Sequence, residues 1–217
     1  MRKISIVIIA AVFCFLGAPT LSSAVSIEGD GPLGDFTGTF IYDVNDPNES
    51  TIEIELTNTS PMSNGGYLTA FAFNIPSGYI TGVSLESSDD DFGLLGDPDF
   101  YDEVKGVPYG YYDIGASVTD QFLGGGAPSP GIPVDGSVKF TFTIYGDNLH
   151  MLDEDSFLDE MSAGASPGKG SQFFLARFRG FDDGGSNKTP GRVVPVPGAL
   201  WLLGCGLIGL AGFRRKL

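Results

Sequence analysis

The centre of this 217-residue chain predicts an all-β fold, an antiparallel β-sandwich of immunoglobulin-like or jelly-roll kind. Three observations carry that expectation. Residues 51–57 (Thr-Ile-Glu-Ile-Glu-Leu-Thr) and 138–144 (Val-Lys-Phe-Thr-Phe-Thr-Ile) alternate apolar with polar, the period of strands buried on one face. Runs of this kind are separated by Gly, Pro, Asn, Asp and Ser clusters that set turns. A helical period is confined to one short stretch. An apolar segment at each end, a signal peptide before and a transmembrane helix after, flanks the centre.

In chain order, Arg2 and Lys3 precede an apolar run over residues 4–16, and Leu21-Ser22-Ser23-Ala24 offers small residues for cleavage after Ala24. That is the layout of a secretory signal peptide over residues 1–24. Cys14 follows Phe13 where a lipoprotein signal wants a small residue, so it reads as part of the apolar stretch. Strands are expected at residues 38–44, 51–57, 68–75, 80–86, 109–118, 138–144 and 172–181. Turn clusters such as Asp46-Pro47-Asn48 and Pro128-Ser129-Pro130-Gly131-Ile132-Pro133 punctuate them. In residues 148–162, Leu149, Leu152, Phe157, Leu158 and Met161 fall on a helical stripe with acidic residues elsewhere, which predicts one helix across an end of the sandwich. Residues 124–133 and 164–170 read as long loops, and no internal repeat is visible.

With both ends set aside, residues 25–192 suit one domain with a sizeable core. Cys14 and Cys205 both lie outside it, so an exported domain would hold no disulfide and must rest on its core or on bound ions. All 27 acidic residues lie inside the domain and five of the 12 basic ones lie in the end segments, which leaves it at −20. A surface of that sign argues against nucleic acid and anionic lipid as partners.

Enzymatic chemistry finds few residues. His150 is the single histidine, no GxSxG signature occurs, and the domain has no cysteine nucleophile, so His150 reads as a solvated or packing residue on an acidic edge. A zinc site would need carboxylates in place of the usual ligands. Glycoside hydrolysis needs only two carboxylates, but it also needs a cleft that spaces them, and abundant surface acid usually serves solvation. The expectation is a non-enzymatic protein.

Two binding features stand out. Asp89, Asp90 and Asp91, followed by Asp97 and Asp99 and then Asp102 and Glu103, bring closely spaced carboxylates to one loop, the donor chemistry of a calcium site. The spacing departs from an EF-hand, since Tyr101 stands where a third ligand belongs, and a solvated acidic loop is the competing reading. Phe100, Tyr101, Tyr109, Tyr111 and Tyr112 crowd another stretch. Alternation puts Tyr109 and Tyr111 on one face and Tyr112 on the other, so core packing competes with a sugar-stacking platform, and a carbohydrate-binding module is the alternative function.

The last residues are the most informative. Val194-Pro195-Val196-Pro197 leads into an unbroken apolar run over residues 198–213, closed by Arg214, Arg215 and Lys216. At the helical rise the run spans roughly 24 Å, short of the ~30 Å hydrocarbon core, which suits a transient anchor better than a lasting one. The basic end favours the cytoplasmic side and places the domain outside. Trp201 sits near the outer end, where an indole reaches headgroup depth. Gly204, Gly206, Gly209 and Gly212 would let a partner helix approach closely.

This order of pieces resembles a PEP-CTERM sorting signal, the C-terminal tag that exosortase-type membrane enzymes recognise in Gram-negative bacteria, with Val196 where the name-giving motif has glutamate. The resemblance implies an exported protein, sorted and processed by an exosortase-like membrane enzyme, then found at the cell surface or outside it. It also implies association with extracellular polysaccharide or biofilm. More loosely, residues 56–60, 70–76 and 174–180 are similar to phrases in other exported proteins bearing such a tail.

Overall fold

The computed structural model describes residues 24–97 and 99–195. The predicted signal peptide up to residue 23 and the segment from Val196 onward lie outside them. Among the described residues no helix is long and apolar enough to cross a membrane.

The chain folds as antiparallel β-structure. Its first strands are β1 (Val25–Gly29), β2 (Phe36–Asp46), β3 (Glu49–Asn58), β4 (Gly65–Phe73) and β5 (Ile80–Ser87). Short pieces follow: β6 (Gly93–Leu95), β7 (Val104–Lys105), β8 (Tyr111–Tyr112), β9 (Ile114–Ser117) and β10 (Ile132–Pro133). After β11 (Ser137–Gly146) come a 3-10 turn (Leu149–Met151) and helix α1 (Glu154–Leu158). The chain then returns through β12 (Phe174–Phe181), β13 (Ser186–Pro190) and β14 (Arg192–Val193). One six-stranded sheet runs β14-β1-β2-β3-β11-β5; a second holds β13-β12-β4-β9-β6, with β10 against β4.

Alternation explains why the sheets face each other. Phe36 and Phe40 on β2, Ile52, Ile54 and Leu56 on β3, and Phe140, Phe142 and Ile144 on β11 are buried and share one side of the first sheet. They meet phenylalanines of the second. Phe71 of β4 packs on Phe140 at 4.7 Å between ring centroids and stacks on Phe174 of β12 at 5.6 Å. Phe73 meets Phe142 edge-on at 5.2 Å, and Phe36 meets Phe174 at 5.4 Å. Each fully buried phenylalanine contributes about 1.5–3 kcal/mol before ordering costs, so this aromatic seam dominates the core.

The expected strands are present with shifted ends, apart from the one placed at residues 109–118. That run breaks into β8 and β9 because Asp113 between them turns its carboxylate inward to accept N–H bonds from Ile75 and Asp102, both at 2.8 Å. The expected helix at residues 148–162 is also corrected. Asn148 is left-handed (φ 59°), Asp153 is extended, and only Glu154–Leu158 is α-helical behind a capping box between Asp153 and Ser156. Of the proposed stripe, Leu149, Phe157 and Leu158 are buried while Met161 is 53 % exposed. The helix packs as expected on the end of β2, where Phe157 contacts Phe40 and Tyr42 at 5.9 and 4.9 Å.

A candidate functional site where the tail leaves the sheet

Val25-Ser26-Ile27-Glu28-Gly29 alternates, buries Ile27 and pairs on one side with β2, which leaves its other edge open to a partner. The returning chain fills it. β14 pairs antiparallel with β1 in the register Ile27↔Val193 and Glu28↔Arg192, and the Val194 N–H donates to the Ser26 carbonyl at 2.8 Å. Arg192 reinforces the register by donating from Nε and Nη2 to Glu28 Oε1, each at 2.9 Å. Among the described residues the ladder ends there. The residue after the expected cleavage at Ala24 and the start of the C-terminal tail therefore lie on neighbouring strands.

Beside this edge the outer face of the first sheet carries hydroxyls and carboxylates. Ser26 and Glu28 of β1, Thr37 and Thr39 of β2, and Glu55 and Thr57 of β3 line an open groove of about 480 Å³ with Val194 at its rim.

The acidic residues singled out in sequence are placed apart. Asp89 spends its carboxylate on its own turn, accepting the Asp91 N–H at 3.0 Å, while its amide donates to Ser87 Oγ at 3.2 Å. Phe92 then dives into the core against Phe140 at 5.1 Å, and β6 separates Asp89, Asp90 and Asp91 from Asp97 and Asp99. Among the described residues no group of three or more acidic, histidine or cysteine side chains could hold a metal ion. Asp97 instead lines a pocket of about 280 Å³ with Glu103, Lys105 and Asp120. His150 is exposed on the 3-10 turn.

The aromatic stretch is divided between core and surface. Tyr112 is fully buried in a small second cluster with Val104, Phe122 and Leu175, and Phe100 is buried as well. Burial holds the Tyr112 hydroxyl well above its ordinary pKa, so it stays protonated at any physiological pH. Tyr101 and Tyr111 are exposed and Tyr109 is half-buried, and Tyr101 ties its hydroxyl to the Ile80 carbonyl at 3.2 Å.

Residues 193–216 match the family described as the PEP-CTERM protein-sorting motif. The chain carries a PEP-CTERM sorting signal. No curated protein matches the chain. A PEP-CTERM signal marks an exported substrate of an exosortase, a membrane enzyme, destined for the surface or the extracellular space. The matched segment begins at Val193, inside β14, so the PEP-CTERM signal starts within the folded domain. Of the sorting residues identified in sequence, Val194 and Pro195 lie at this edge. Val196, Pro197, Trp201, Gly204, Gly206, Gly209, Gly212, Arg214, Arg215 and Lys216 lie outside the described residues. Sequence reading missed the pairing of the tail with β1, although the short alternation at residues 25–29 signalled a strand.

Proposed function

We propose that this is an exported, non-enzymatic surface or matrix protein whose β-sandwich is the delivered cargo and whose tail is a temporary anchor and processing signal. A signal peptide takes the chain across the inner membrane, the apolar tail holds it there with Arg214-Arg215-Lys216 inside, and an exosortase-like enzyme cuts near residues 194–197. The matured domain then associates with extracellular polysaccharide. The observation that carries this reading is the junction itself: the matched sorting motif begins at Val193, inside the last strand of the domain. The groove beside it supports a second reading, a carbohydrate-binding module, because threonine, serine and glutamate groups suit sugar hydroxyls.

The topology is testable with alkaline phosphatase fused after Pro195. The fusion should be active outside the cytoplasm, and an inactive, cytoplasmic fusion would overturn the export reading. Glycan-array binding by the exported protein separates the two roles. Selective binding abolished by Thr37→Val with Thr39→Val would favour the module; a blank array would favour the general matrix role.

A further inference from the structure

We propose that β14 is a latch on the sorting signal: the chain through Val194 is held in the sheet and must peel from β1 before a processing enzyme can grip the segment it cuts. This rests on reading the tail as a processing signal and adds Ser26, Glu28 and Arg192 as positioning residues for that step. The matched motif begins at Val193, whose register partner is Ile27, and the Val194 amide is spent on Ser26. Backbone groups of a strand point alternately to its two sides, so with Val194 turned towards β1 the N–H and C=O of Val193 face away from it. Among the described residues Val194 makes the last sheet hydrogen bond, and in the sequence Pro195, Val196 and Pro197 stand between it and the apolar run at Gly198. Fully extended, three residues reach about 10 Å. A protease cleft grips several residues of extended chain, and three do not fill it unless Val193 and Val194 come too.

The latch is built to open. It has two register pairs where the β3–β11 ladder has nine. Arg192 and Val193 are exposed, and the Arg192 and Glu28 side chains of the ion pair are 61 % and 35 % exposed, so the pair adds little. A short exposed edge of this kind frays without disturbing the rest of the sheet.

The test replaces the ion pair by a reversible bond. Glu28→Cys with Arg192→Cys puts thiols on antiparallel partners within disulfide reach, in a full-length chain carrying Cys205→Ser to remove the competing tail thiol. In the native host the oxidised double variant should be processed at least tenfold more slowly than the same protein under reductant, while the single Glu28→Cys variant is processed at least as fast as its parent. Equal processing of oxidised and reduced forms would overturn the latch. If the parent is never shortened, the sorting reading falls and takes the latch with it. A second measurement stands apart from processing: in the detergent-solubilised full chain, the Val194 amide should exchange at least a hundredfold faster than that of Ile54 in β3. Equal protection would mean that the edge opens only when the whole domain unfolds, and the proposal would be wrong.

Discussion

Asp113 shows how one side chain joins loops that sequence keeps apart. Its two oxygens accept the Ile75 and Asp102 amides, and burial raises its pKa despite those bonds and with Asp102 and Glu160 nearby. The raised value means that the folded state holds this proton more tightly than the unfolded one. Its effect on stability therefore becomes unfavourable as pH rises from the ordinary carboxylate range through the folded pKa. Asp153 has the opposite sign. The Ser156 hydroxyl and amide lower its pKa, so its contribution is present above the ordinary carboxylate range and fades as pH falls through the lowered value. We expect Asp113→Asn to cost about 1–3 kcal/mol at neutral pH, because one of the two amides then faces an NH₂ group. The variant should also lose the fall in stability that desolvation of Asp113 predicts as pH rises from the ordinary carboxylate range. Urea titrations of both proteins across that range measure both effects, and superimposable curves would contradict this account of Asp113.

At the scale of elements, what was legible in sequence is what depends on local alternation. β3 and β11 read correctly because their inward residues, Ile52, Ile54 and Leu56 against Phe140 and Phe142, keep a strict period of two. The helix misread because a stripe of apolar residues carries no word about Asn148 in the left-handed region or about Asp153 capping a new start. β14 was invisible since two residues have no periodicity, and the acidic cluster looked like a site because spacing in sequence cannot show that β6 runs between its halves. Long-range polar ties were equally hidden. Asn58, buried at the end of β3, donates to the Ile132 carbonyl at 2.9 Å and so docks β10.

Arg177 and Arg179 read as polar positions of a strand. In the fold Arg177 Nη1 donates to the carbonyls of Phe122 and Gly124 at 2.6 and 3.0 Å, and Arg179 donates to those of Gly125 and Gly126 at 3.2 and 2.7 Å. These bonds hold a glycine loop that has few ties of its own. Arg177→Ala with Arg179→Ala should leave the far-ultraviolet spectrum of the domain intact while limited proteolysis nicks residues 122–126 at least tenfold faster. Unchanged nicking would show that the loop is held by something else.

Across the whole molecule, domain and tail differ in composition. A domain at −20, with no cysteine in it, is held by a phenylalanine core rather than by cross-links. The tail's order of turn, apolar run and positive end is the basis for proposing that it is held in a bilayer only for a time. β1 and β14 join the two at one corner, so that the chain emerging from residue 24 and the chain departing at Pro195 lie on neighbouring strands. The central claim is that the tail is a processing signal rather than a lasting anchor. Mass spectrometry of the extracellular protein from its native host tests that directly: the mature chain should begin at Val25, end between Val194 and Pro197, and lack residues 198–217, whereas a mature extracellular form with an intact peptide ending in Leu217 would contradict it.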